Sequence, residues 1–178
     1  GRGWPTPLIA SPKRVYRLPV VRSPSEVLRL LDAVVNLKYR TILATIYATG
    51  MRSSEATHLL VSDIDSERNL ITVRQGKGLR DRHVMRSPAL LKLLRAHWRR
   101  ERPVYWLFPS ADPSTSVGIS TIPYVCKRAS VAAGLSKHVT PRTLRHCFAT
   151  HLTADRHDPP TIPALLGHRR RRPTPRYT

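Results

Sequence analysis

At Leu70-Ile71-Thr72-Val73 the apolar pattern stops recurring every three to four residues and becomes short and β-branched. Gly76-Lys77-Gly78 follows as a turn, and Arg82-His83-Val84-Met85 has the composition to return antiparallel, so a β-hairpin with a lysine at its tip is expected. Elsewhere the apolar residues fall at helical spacing. The fold class implied is mainly α with a small antiparallel β-sheet.

Ser23-Pro24-Ser25-Glu26 joins a serine cap, a proline at the first helical position and a glutamate three residues after the cap. Val27, Leu28, Leu30, Leu31, Val34 and Val35 then form an apolar stripe. A second helix is expected from about Leu37 to Ala48, with Ile42, Leu43, Ile46 and Tyr47 inward and Gly50 as its stop, and a short third from Ser54 to Leu60. Beyond the hairpin, Ser87-Pro88 repeats the cap signal, and Leu90, Leu91, Leu93, Leu94 and Trp98 mark an amphipathic helix to about Arg100. Trp106-Leu107-Phe108-Pro109 should plug back into the core ahead of a polar loop over 110–118. Further helices are expected from Ser120 to Ala133, ending at Gly134, from Thr140-Pro141 through Leu144, Phe148 and Leu152, and from Thr161 to Leu166. Residues 1–20, with Pro5, Pro7, Pro12 and Pro19, read as a linker or the remnant of an upstream domain; 21–178 reads as one domain, and no internal repeat suggests a solenoid.

A chain of 178 residues, 40% hydrophobic, is long enough to bury one ordinary core, which excludes disorder throughout. No apolar run approaches the ~20 residues of a bilayer span, and the N-terminus lacks the layout of a signal peptide. A soluble, cytoplasmic protein without a membrane partner is expected. Cys126 and Cys147 cannot make a disulfide framework, and neither belongs to a metal-binding pair, so no zinc is expected. The 31 Lys and Arg against 11 Asp and Glu give +20, which points to a polyanion, nucleic acid above all, rather than to a small-molecule substrate.

Phosphodiester chemistry without a metal needs cations around the phosphorus, an acid for the leaving oxygen and a nucleophile. Candidate parts occur in order. Ala48-Thr49-Gly50-Met51-Arg52-Ser53-Ser54-Glu55 places Arg52 where one helix ends and another begins, a position from which a guanidinium can fork onto phosphate oxygens. Lys77 stands at the hairpin tip, Arg142 and Arg145 lie one helical turn apart, and Leu165-Leu166-Gly167-His168 is followed nine residues later by Tyr177.

These motifs, ATGMRSSE, QGKG, TPRTLRHCFATHL and LLGH with its tyrosine, resemble those of the tyrosine recombinases, the phage integrase family of DNA breaking and rejoining enzymes. The resemblance spans about residues 20 to 177 and implies that family's catalytic-domain fold. It implies that Arg52 and Arg145 clamp the scissile phosphate, Lys77 protonates the departing 5′ oxygen, His168 hydrogen-bonds the phosphate, and Tyr177 attacks to leave a 3′-phosphotyrosyl intermediate. Neither metal nor other cofactor is then needed. Arg142 stands where the family has a histidine, keeping a donor to phosphate but losing a group that titrates near neutrality. Prolines at 159, 160 and 163 precede LLGH, Arg172-Pro173-Thr174-Pro175 precedes Tyr177, and the domain is expected to be C-terminally truncated.

The implied activity is site-specific recombination or integration on double-stranded DNA, with self-association on the DNA. Three alternatives are a catalytically impaired DNA-binding remnant of that family, a type IB topoisomerase-like enzyme, and a basic RNA-binding protein, the last of which leaves the motif order unexplained. Glu55 is expected to pin nearby basic groups, His146 and His151 to pack and hydrogen-bond, and Cys147 to behave as a small apolar side chain. His58, His83, His97, His138 and His157 are expected at surface or turn positions.

Overall fold

The structure is a computed structural model and describes residues 23–74, 81–85, 87–136 and 138–154. Six helices and one three-stranded sheet make up its regular structure: α1 Pro24–Asp32, α2 Leu37–Thr49, α3 Ser53–Thr57, a 3₁₀ turn Val61–Asp63, β1 Ile64–Asp65, β2 Leu70–Val73, β3 Arg82–Met85, α4 Pro88–Glu101, α5 Thr121–Ala132 and α6 Pro141–Ala154. The fold class is as the sequence indicates, mostly helical with a small antiparallel sheet.

Helix α2 is the axis of the molecule, packed against α1, α3, α4, α5 and α6. Every residue from Thr41 to Thr49 is buried. A helix buried all round must satisfy its polar side chains internally, and three threonines at four-residue spacing do so. Thr41 donates to the Leu37 carbonyl at 2.7 Å, Thr45 to Thr41 at 2.8 Å and Thr49 to Thr45 at 2.6 Å. Ile42, Leu43 and Ile46, all at 0% exposure, fill the core between them, each worth about 1.5–3 kcal/mol of burial.

The cap signals act as their chemistry dictates. Ser23 Oγ accepts from Glu26 N while Glu26 returns a carboxylate to Ser23 N at 2.9 Å, and Ser87 Oγ accepts from Leu90 N at 3.0 Å. Gly50 closes α2 at φ +66°, a left-handed conformation that glycine enters without steric cost.

In the sheet, β2 lies between β1 and β3, with Ile71 opposite Val84 and Val73 opposite Arg82. Cross-strand partners share a face, so the face carrying buried Ile71 and Val73 also carries Arg82. The opposite face bears Thr72 and His83, joined at 3.3 Å.

Several expectations need correction. Helix α3 ends at Thr57, not Leu60, because Leu60 leaves to form a β-bridge with Trp106. Val35 is 93% exposed: α1 stops at Asp32, and the helical stripe no longer governs that position. Trp98 is 40% exposed, with the Arg102 guanidinium 4.5 Å over its ring. His97 is fully buried, not a surface residue; its ring lies against Phe108 and its Nε2–H donates to the Leu107 carbonyl at 2.8 Å. Leu107 and Phe108 plug the core as expected. The expected linker over 1–20 and the helix from Thr161 lie outside the described residues.

Candidate active site

Two turns of chain, one after α2 and one before α6, meet to form a cleft of about 390 Å³ lined by Met51, Arg52, Ser53, Pro141, Arg142 and Arg145. The first turn is set by Gly50. An ideal Cβ at that position would stand 2.7 Å from Phe148 Cε1 on α6, so only a glycine lets the end of α2 approach α6 so closely. Met51 follows fully buried, which anchors the turn and leaves Arg52 beside the cleft with its side chain 63% exposed.

The second turn is set by Thr140. Its hydroxyl accepts from Thr143 N at 3.1 Å while its own N–H donates to Thr143 Oγ1 at 3.2 Å, and Pro141 occupies the first helical position. Arg142 and Arg145 therefore project from the first turns of α6, where the positive end of the helix dipole adds to their charge. A second tie holds α6 to α2: the Tyr47 hydroxyl and His151 Nδ1 are 2.9 Å apart in the core. Burial, with the Cys147 thiol beside it, holds the Tyr47 phenol well above its usual range, so it stays a neutral hydrogen-bonding group.

Beneath the arginines sits Glu55 of α3, its side chain 10% exposed. Arg52 gives it a backbone N–H at 2.8 Å and Nη1 at 3.0 Å, and Arg82 of β3 forks onto both oxygens at 2.9 and 2.7 Å. Burial alone raises a carboxyl's pKa, but the Arg82 and Arg52 hydrogen bonds outweigh it and bring Glu55 down to about 2. Glu55 thus pins basic groups as expected, and one of them, Arg82, is in the sequence only part of a returning strand. Its role becomes visible once the register pairs it with inward Val73.

Of the six residues singled out in the sequence, the fold brings Arg52, Arg142 and Arg145 together around one cleft. Lys77, His168 and Tyr177 lie outside the described residues. Among the described residues no group of three or more His, Cys, Asp or Glu is arranged to hold a metal ion, and no helix is long and apolar enough to cross a membrane. Chemically, the cleft offers guanidinium forks and a helix N-terminus, a set complementary to a tetrahedral oxyanion.

Residues 22–178 match the model of the phage integrase family. The provisionally named integrase/recombinase y4qK of Sinorhizobium fredii is 45% identical over 177 residues, covering 99% of this chain and 58% of that protein. The tyrosine recombinase XerD of Staphylococcus aureus is 34% identical, covering 92% of this chain and 59% of its own length. Among solved structures, XerA recombinase superposes with a TM-score of 0.73 at 32% identity, over 85% of this chain and 57% of that one. The XerH site-specific recombinase bound to its difH substrate in a pre-cleavage complex gives 0.67 at 25% identity, over 89% and 49% respectively. The chain spans less than two thirds of the length of these relatives.

Proposed function

The chain belongs to the phage integrase family of tyrosine recombinases, and on that premise we propose that it is the strand-cleaving domain of a site-specific DNA recombinase or integrase. The observation that carries this reading is the convergence of Arg52, Arg142 and Arg145 on one cleft from two segments about ninety residues apart in the chain. Arg52 and Arg145 fork onto the non-bridging oxygens of a duplex phosphodiester and neutralise the charge that grows as phosphorus becomes pentavalent. Arg142 supplies a third donor.

Tyr177 attacks as a phenolate, its proton passed to water, and its oxygen bonds to the phosphorus that stays on the 3′ end as the bond to the 5′ oxygen breaks. Lys77 donates the proton that the departing oxygen takes up, and His168 hydrogen-bonds the phosphate. Attack by the freed 5′ hydroxyl on the phosphotyrosine reverses the step and rejoins DNA without loss of the bond energy, so no cofactor takes part. Rejoining to a second duplex requires two sites at once, hence self-association on DNA. The same chemistry makes the protein DNA-associated.

The alternative reading is a DNA-binding domain of the same family with impaired turnover, and one observation favours it. Among the described residues, each ionisable group lining the cleft is a guanidinium, which cannot accept the phenolic proton in the working pH range. A nicked suicide duplex incubated with the chain in EDTA separates the two. Recombinase chemistry leaves an SDS-resistant protein–DNA adduct that maps to Tyr177 by peptide mass and disappears in Tyr177→Phe. Duplex binding without adduct leaves the binding domain, and an adduct that persists in Tyr177→Phe means another nucleophile.

A further inference from the structure

A carboxylate has about four lone-pair sites, and at Glu55 all four are filled. Oε2 takes Arg52 N and Arg82 Nη2; Oε1 takes Arg52 Nη1 and Arg82 Nη1. Arg145 approaches the same carboxylate but stops with Nη1 at 3.9 Å from Oε2, beyond hydrogen-bond range, and that Nη1 is buried with no hydrogen-bond partner among the described residues. A buried donor left unmet costs on the order of a full desolvation penalty, so something must hold Arg145 short of the carboxylate. The group that fills the competing sites is Arg82. It reaches Glu55 because its register opposite Val73 turns it to the inward face of the sheet.

We propose that Arg82 is a positioning residue for the cleft: by saturating Glu55 it denies that carboxylate to Arg145 and keeps the Arg145 fork aimed at an incoming phosphate. The inference rests on the cleft being an anion site, as in the function proposed above, but not on turnover. Removing Arg82 opens two lone-pair sites on a buried carboxylate directly below Arg145. Arg145 then closes the gap and leaves the cleft, and the anion meets a carboxylate that is no longer neutralised from the sheet side. Among the described residues, the charged groups facing Glu55 are Arg52 from the α2–α3 turn, Arg82 from β3 and Arg145 from α6.

Inorganic phosphate is the probe, read as the rise in melting temperature it produces at fixed ionic strength, since a ligand that binds the native state stabilises it. The cleft's share of that rise is the part lost in Arg145→Ala. The expected result is loss of the same share in Arg82→Ala and its return in the double variant Arg82→Ala, Glu55→Gln, whose amide no longer competes for Arg145 as a charge. The pH profile gives a second readout: in Arg82→Ala the cleft's share recovers as Glu55 is protonated on acidification, whereas the wild type does not follow that course.

Where Arg82→Ala melts too low to use, Arg82→Lys replaces it, because one ammonium cannot fork across both oxygens. A double variant that binds no better than Arg82→Ala would make Arg82 a fastener of the hairpin and overturn the proposal, as would a wild-type response that Arg145→Ala leaves intact. Absence of the Tyr177 adduct with the phosphate response and its rescue intact would strike the recombinase reading and leave this one standing.

Discussion

Phe148 on α6 occupies the space that a side chain at Gly50 on α2 would need, with Cε1 2.7 Å from where a Cβ would stand. The contact sets how near the two arginine-bearing turns come to each other. Gly50→Ala combines a left-handed backbone cost with overpacking against an aromatic ring and is expected to destabilise by roughly 2–4 kcal/mol. Gly134 has almost the same backbone angle, φ +65°, with nothing within 4 Å of its missing Cβ. Gly134→Ala should therefore cost only about 1 kcal/mol. Urea unfolding of the two variants separates close approach from backbone strain, and similar losses would show that Phe148 moves aside freely.

Acid stability should fall in two stages. His97 is held below its usual range chiefly by burial, so it contributes stability that is complete above the unfolded value of 6.5 and is lost as pH falls through its lower folded value. Glu55, lowered from 4.5 to about 2, contributes stability that is complete above 4.5 and is lost as pH falls towards 2. That second contribution is on the order of 3 kcal/mol for a mostly buried group. Urea midpoints from pH 8 to pH 2 should show Glu55→Gln removing the lower stage and leaving the upper one. A lower stage of undiminished size in Glu55→Gln would place the responsible carboxylate elsewhere.

Both cysteines should be silent in the native protein. Cys126 and Cys147 are fully buried, and burial pushes the Cys126 thiol up to about 12, far from the thiolate that reacts. A chromogenic disulfide reagent is expected to titrate two thiols only after denaturation. Rapid reaction of either under native conditions would mean that the packing around α5 or α6 opens readily.

The elements were legible where one short segment carries its own instruction: Ser23-Pro24 and Ser87-Pro88 start helices, Gly50 stops one, and Leu70–Val73 changes the period. The motifs that bear Arg52, Arg142 and Arg145 were legible for the same reason, since each is a local pattern at a helix end. What escaped depends on partners far along the chain. His97, seven residues after Leu90 and three after Leu94, has the spacing of the buried face of α4, but its polar type suggests a surface residue until Phe108 and the Leu107 carbonyl arrive from another segment to partner it. Arg82 looks like one of many strand-end cations until strand register turns it inward to Glu55, 27 residues earlier. Local pattern fixes which residues are available; long-range pairing decides which of them meet.

Arg142 gives a test of the missing base. A histidine there keeps a hydrogen-bond donor towards the phosphate and adds a group that titrates near neutrality. Arg142→His should raise the single-turnover cleavage rate, within the ~10²- to 10⁴-fold that general base assistance supplies. Equal rates for the two proteins would place proton acceptance on another group.

The central claim is that the cleft between Gly50-Met51-Arg52 and the start of α6 holds the phosphate being cleaved. Single-turnover cleavage of a nicked duplex, measured at saturating DNA beside the dissociation constant, tests it most directly in Arg145→Ala. A donor that acts on transition-state charge is worth ~10²- to 10³-fold in rate. Overall affinity in a chain of net charge +20 is spread over many phosphate contacts. The account predicts a rate lower by about that factor with the dissociation constant changed little; an unchanged rate at saturation, with any loss confined to binding, would contradict it.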